Sequence, residues 1–183
     1  MGANIDRMEY FTIASTGAGT DAGNLSEIQN GVNATNGASR YVINGGYGES
    51  GYVQGMTYND FSTSANASVF GNLSAGSNGH ASVCSTSRAV FNVPGANEST
   101  IEYVTVASTT NSADFGDLDN PRANAGGASD GVTGEFYGGN DNVGGGHFSI
   151  NFIDKITIGT TGNATDIGDL LEDNRSPGST SGT

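Results

Sequence analysis

The chain contains no tryptophan, one cysteine (Cys84), one lysine (Lys155), five leucines and three prolines in 183 residues. A lone cysteine excludes an internal disulfide, so stability has to come from packing and hydrogen bonding. The scarcity of Leu and Lys beside 30 Gly and twenty Asn excludes a helical bundle, because Gly and Asn suit turns and strand ends. Only 6 basic residues face 19 acidic ones, a net charge of −13. That balance argues against nucleic acid, whose phosphates need clustered Lys and Arg, and equally against an anionic membrane surface. No apolar run approaches the roughly 20 residues of a membrane-spanning helix. The opening MGANIDRMEY lacks the basic-then-apolar layout of a secretory signal, and Asp6 stands where a myristoylation pattern needs Ser or Thr. Leu, Ile, Val and Phe together number 34, near the composition at which a strongly charged chain stays unfolded. A chain of one domain's length and so little apolar content needs another route to a core.

That route is a repeat. Four of the five leucines end the same phrase: Ala22-Gly-Asn-Leu25, Phe70-Gly-Asn-Leu73, Phe115-Gly-Asp-Leu118 and Ile167-Gly-Asp-Leu170. Each Leu follows an apolar residue by 17 positions (Met8, Met56, Ile101, Ile153), and two positions further on stand Tyr10, Tyr58, Tyr103 and, as the exception, Lys155. The repeat phrases therefore cover 8–25, 56–73, 101–118 and 153–170, spaced by 48, 45 and 52 residues. A second phrase follows each of the first three, at Ser39-Arg40, Ser87-Arg88 and Thr133-Gly134. Read this way, the third copy slips by one residue and has Gly134 in the place of Arg.

The residues within the phrases predict strands. Tyr103-Val-Thr-Val106 and Lys155-Ile-Thr-Ile158 alternate apolar and polar side chains with β-branching, the pattern of a half-buried strand. Phe70 with Leu73, and their counterparts, anchor a following strand whose central Gly permits a bend or bulge. Strands around Val42-Ile43, Val90-Phe91 and Phe136-Tyr137 run into glycine-rich loops. A unit of 45–52 residues has the length of four short antiparallel strands, so the expected fold is all-β: a β-propeller or an open β-repeat array of about three and a half to four units. A single unit buries too little to be stable, and stacking supplies the shared core. The chain opens on the third and fourth strands of a unit. Unpaired sheet edges with a single Lys to discourage extension predict an assembly. Residues 1–175 form one repeat domain on this reading, and 176–183 have the composition of a flexible tail.

Gly45-Gly46 and Gly138-Gly139 after an apolar strand, then a Tyr-bearing strand, then the Gly-Asn/Asp-Leu phrase, resemble the layout of kelch repeats, with the kelch Trp missing. The segments 101–118 and 156–170 are similar to repeats of virion structural and tail-fibre proteins of marine tailed phages, including cyanophages, and the likeness spans nearly the whole chain. It implies a non-enzymatic virion component exposed on the particle as tail fibre, appendage or capsid decoration. The implied partners are other virion proteins, further copies of the chain and a host-surface glycan.

Candidates for chemistry are sparse. His80 and Cys84 lie four residues apart, but neither they nor His147 recur among the repeats, so a surface His and a buried Cys are the preferred reading. The segment 138–146 is similar to one calcium-binding nonapeptide, where consecutive turns would be needed, and reads as a loop. Asn24, Asn72, Asp117 and Asp169 recur at one place and read as structural turn groups. The six Asn-X-Ser/Thr sequons at Asn24, Asn33, Asn66, Asn72, Asn97 and Asn163 read as turn chemistry, not as glycosylation sites. Arg40 and Arg88 are expected to bridge neighbouring units to a carboxylate or carbonyls. Tyr41, Tyr47, Tyr52 and Tyr58 cluster as on surfaces that stack on sugars or proteins. A glycan-binding module outside a virion is one alternative. A polysaccharide depolymerase is another, and would need Asp114 with Asp117, or Asp166 with Asp169, to converge across units. No catalytic, cofactor-binding or metal-ligating residue is assigned.

Overall fold

A computed structural model describes residues 6–94, 99–141, 148–178 and 180–181. Every element among the described residues is a strand. The chain opens on a hairpin of β1 (Arg7–Tyr10) and β2 (Thr20–Asn24). Next come β3 (Gln29–Asn30), β4 (Asn33–Asn36), β5 (Arg40–Asn44), β6 (Tyr47–Gly48), β7 (Gly51–Tyr52), β8 (Gly55–Asp60) and β9 (Ser68–Asn72). These form a four-stranded sheet in the order β4-β5-β8-β9 and a small side sheet in the order β3-β6-β7. β10 (Ser82–Cys84), β11 (Arg88–Asn92), β12 (Thr100–Thr105) and β13 (Ala113–Asp117) form the next sheet in chain order. β14 (Arg122–Ala123) precedes β15 (Gly126–Ser129) and β16 (Thr133–Tyr137), which β17 (Asn140–Asp141), β18 (Phe152–Thr157), β19 (Thr165–Asp169) and β20 (Thr180–Ser181) follow. The last sheet runs β19-β18-β16-β15-β20, and β14 pairs with β17.

The β1–β2 hairpin and the three larger sheets are four successive units, and the third and fourth strands of each carry the Leu phrase. All pairings are antiparallel except that of β20, which runs parallel to β15 with Ala128 opposite Thr180. Ser176, in the segment with the composition of a tail, also donates its N–H to the Asn124 carbonyl at 3.0 Å. The segment is thus tied to the fourth unit at two places.

A bulge sits at the same point of all four hairpins, where the register shifts just after Met8, Met56, Ile101 and Ile153. In a regular strand, residues three apart point to opposite faces. The extra residue reverses one alternation, so Phe70 and Leu73 join one buried cluster, and Phe115 and Leu118 another. The glycine beside the bulge adopts a positive φ in three of the four hairpins, at Gly23, Gly116 (146°) and Gly168, which a side chain resists.

Register also corrects the alignment of the second strands. Arg40 pairs with Asp60, Arg88 with Thr105 and Thr133 with Thr157, so the third copy does not slip and Thr133, not Gly134, stands where Arg would. The core lies between sheets. One cluster joins Val42, Met56, Phe70 and Leu73 of unit two to Phe91, Val104 and Val106 of unit three. The other joins Val90, Ile101, Phe115 and Leu118 to Phe136, Ile156 and Ile158 of unit four. No strand pairing links the first sheet to the last among the described residues.

Candidate functional site

The recurring polar residues meet at the joints between units. At each joint the third-to-fourth-strand turn of one unit docks on the bulge of the unit before it. The Asn66 side-chain oxygen accepts the N–H of Asn24 at 3.1 Å, Asn111 that of Asn72 at 3.0 Å, and Asn163 that of Asp117 at 3.2 Å. In return the carbonyls of Asn24, Asn72 and Asp117 accept the N–H groups of Ala67, Ser112 and Ala164 at 2.8, 3.0 and 2.8 Å. The backbones approach so closely that a Cβ on Gly23, Gly71 or Gly116 would lie 2.2–2.4 Å from a carbonyl oxygen of the docked turn. The sequons at Asn66 and Asn163 are therefore committed to the joint. Asn97 lies outside the described residues.

A second contact, from the arginines, crosses the joints on either side of unit three. Arg40 Nη1 donates to the Val106 carbonyl at 3.4 Å while its Nε meets Asp60 at 3.2 Å, and Arg88 Nη1 donates to the Ile158 carbonyl at 3.0 Å. Both guanidinium groups lie over a ring of their own unit, Arg40 4.4 Å from the Tyr58 centroid and Arg88 4.3 Å from that of Tyr103. The bridging role expected of these arginines is thus present. The stacking on Tyr escaped the sequence, since it depends on the pairing of β5 with β8 and β11 with β12.

Buried carboxylates make the third contact. Glu102, after the bulge of β12, accepts from the N–H and hydroxyl of Ser74 and from the Ser112 hydroxyl. Asp154 occupies the same place in β18 and accepts the Asp119 N–H at 3.1 Å. Asp154 also pairs with Arg122, whose Nη1 reaches the Phe152 carbonyl at 3.1 Å, and both side chains are fully enclosed. Burial pulls the Arg122 pKa down from its ordinary value, against the attraction of Asp154. Neither residue stands out in the sequence, because the signal is the alignment of Glu102 with Asp154 one place after the bulge.

The candidates for catalysis do not converge. His80 is buried, not on the surface as the sequence suggested: its Nε2 lies 3.0 Å from Ser77 Oγ and 2.9 Å from the Ser77 carbonyl oxygen. Burial holds its pKa below the usual value. Cys84 is only half-buried and its Sγ lies 3.9 Å from Asn36 Oδ1, so the two residues have separate partners. His147 and residues 142–146 of the glycine-rich loop lie outside the described residues. Asp114 and Asp117 are exposed on β13, and Asp166 and Asp169 on β19; Asp166 is occupied with the N–H of Gly168 at 2.9 Å. Among the described residues no three His, Cys, Asp or Glu side chains are grouped to hold a metal. No protein-family model matches the chain, and no curated protein matches it.

Two surface features remain. Tyr47 and Tyr52 face each other across the β6–β7 hairpin, ring centroids 5.4 Å apart and nearly perpendicular, both exposed. Tyr58 instead packs on Phe70, and Tyr41 on Phe61. The tyrosine cluster of the sequence thus resolves into one solvent-facing pair and two packing residues. The second feature is a shallow hollow of about 320 Å³ among Gly31, Asn78, His80, Asn124 and Pro177, where the segments preceding successive first strands meet.

Proposed function

We propose that the chain is a non-catalytic structural protein of a phage particle, exposed on the surface as part of a tail fibre, other appendage or capsid decoration. On this reading it is an open array of kelch-like units working through contacts with other virion proteins and with copies of itself. The observation that carries the proposal is how the recurring polar side chains are used. Asn66, Asn111, Asn163, Arg40, Arg88 and Glu102 all bind one unit to its neighbour. A repeat whose shared residues are joints is built for extension and mechanical continuity. The likeness of 101–118 and 156–170 to virion repeats supplies the setting. Immunogold labelling of purified particles with an antibody to the chain tests it: label at regular positions is expected, and particles that bear none overturn the proposal.

The exposed Tyr47–Tyr52 pair favours a second reading, a glycan-binding module, because two accessible rings offer faces for sugar stacking. Binding to an immobilised glycan that Tyr52→Ala reduces at least tenfold is expected on that reading. Equal binding by parent and variant removes it.

A further inference from the structure

We propose that copies of this chain join head to tail, the β1–β2 hairpin of one copy seating on the outer face of β18–β19 of another, in a joint of the kind that links units within the chain. The inserting side is recognisable from β12 and β18. Positions one, three and five residues after the bulge-marking Ile point at the preceding unit: Glu102, Val104 and Val106 in unit three, Asp154, Ile156 and Ile158 in unit four, none more than 4% exposed. Unit one carries Glu9, Phe11 and Ile13 at the same three positions, the same order of one carboxylate and two apolar groups. Phe11 is 70% and Ile13 95% exposed.

The receiving side is equally recognisable. Met56, Phe70 and Leu73 of unit two, and Ile101, Phe115 and Leu118 of unit three, lie under the following unit and are at most 4% exposed. Their counterparts in unit four are Ile153, Ile167 and Leu170. Ile167 is 48% exposed, and the adjoining Leu171 is fully so. A Cβ on Gly168 would meet nothing within 4 Å, whereas its three counterparts are pressed against a docked turn. Both faces are thus apolar and exposed at the positions that elsewhere make the joint. In the proposed contact Glu9 takes the Leu171 N–H, as Glu102 takes that of Ser74 and Asp154 that of Asp119.

The ends also differ from the internal joints in a consistent direction. Ala18 replaces the locking Asn66, Asn111 and Asn163, so one hydrogen bond is absent. Lys155 and Glu135 stand in place of Tyr58 and Val42, which brings the only lysine to a face that would meet Glu9 and Asp21. The joint between copies is thereby weaker than those within, and salt weakens it further. Because the two surfaces differ, the contact is heterologous and extends in a line or closes a ring.

The inference deepens the assembly half of the proposed function and rests on it, without needing the particle. Light scattering behind size exclusion tests it on the full chain. The parent is expected to show a mass above 18.5 kDa that rises with concentration. Ile13→Asp and Ile167→Asp are each expected to stay at the single-chain mass, with circular dichroism as the check on folding and Ile13→Thr and Ile167→Thr as the milder pair. An equimolar mixture of the two variants retains one intact head and one intact tail, and is expected to reach twice the single-chain mass and stop. Val69→Asp, exposed on β9 away from both ends, is expected to behave as the parent. A parent that is monomeric at every concentration overturns the inference, as does association that survives both variants or a mixture that stays monomeric. Particles that label with antibody while the chain stays monomeric overturn this joint and leave the virion proposal standing; the reverse pair of results does the opposite.

Discussion

Arg122 and Asp154 are wholly enclosed, and their pairing ties the segment before β15 to the bulge of β18. Removing charges from water is costly, so such a pair adds little net stability, but deleting one member leaves the other charged and unpaired. Arg122→Met is expected to lower unfolding free energy by about 3–5 kcal/mol, and Arg122→Met with Asp154→Leu to recover most of that loss, read by urea denaturation. A double variant no better than the single one would show that the carboxylate's bond to the Asp119 N–H carries the effect. His80 adds a pH dependence. Its folded pKa lies below the unfolded value of 6.5, mainly through burial. Above pH 6.5 both states hold it neutral; as pH falls below 6.5 the unfolded chain takes up the proton first, and stability drops by up to about 1.4 kcal/mol per pH unit. Between pH 8 and pH 5 the denaturation midpoint is expected to fall in the parent and to stay flatter in His80→Gln.

At the scale of the element, the bulged hairpin separates what a glycine does for its own strand from what it does for the joint. Gly116 has φ 146° and the Gly162 carbonyl pressed against the place of its Cβ; Gly168 has φ 137° and open space. Gly168→Ala is expected to cost about 1 kcal/mol of backbone strain, and Gly116→Ala at least about 2 kcal/mol, because it also pushes the docked turn away. Equal losses, measured by thermal denaturation, would mean that the close approach contributes nothing. The four-fold Leu phrase made the hairpins, the bulge and the half-unit at the start legible, since scarce residues align without gaps and alternate at strand period. The arginine bridges were legible too, through their common distance from Leu. The Arg122–Asp154 pair, the buried His80 and the attachment of Thr180–Ser181 to β15 were not, because each depends on which units touch, and sequence periodicity describes one unit at a time. The supposed slip at Gly134 shows the same limit: a phrase that has lost its Arg aligns equally well one residue over, and only pairing with β18 decides.

At the scale of the whole molecule, a stack in which each unit mainly contacts its neighbours has a stability that varies along its length. Unit three sits between two others, and Ala89, Val90, Phe91, Ile101 and Val104 are all at most 2% exposed. Among the described residues, unit one has two strands and buries only Ala22 of its apolar side chains, against a unit-two face that carries Thr57 and Asn59 where unit three has Glu102 and Val104. It adds few apolar contacts, and its opening exposes little that the remaining units need. In native-state hydrogen exchange, the paired amides of β1 and β2 are therefore expected to exchange at least about a hundredfold faster than those of β11 and β12, a gap of about 2.7 kcal/mol in opening free energy. Uniform exchange along the chain would mean that the stack opens as one cooperative block. The same measurement at rising protein concentration bears on the head-to-tail joint, because a second copy seated on Phe11 and Ile13 gives unit one the neighbour that it lacks. Protection is then expected to rise first in β1–β2 and in β18–β19, while β11 and β12, already enclosed on both sides, stay as they were.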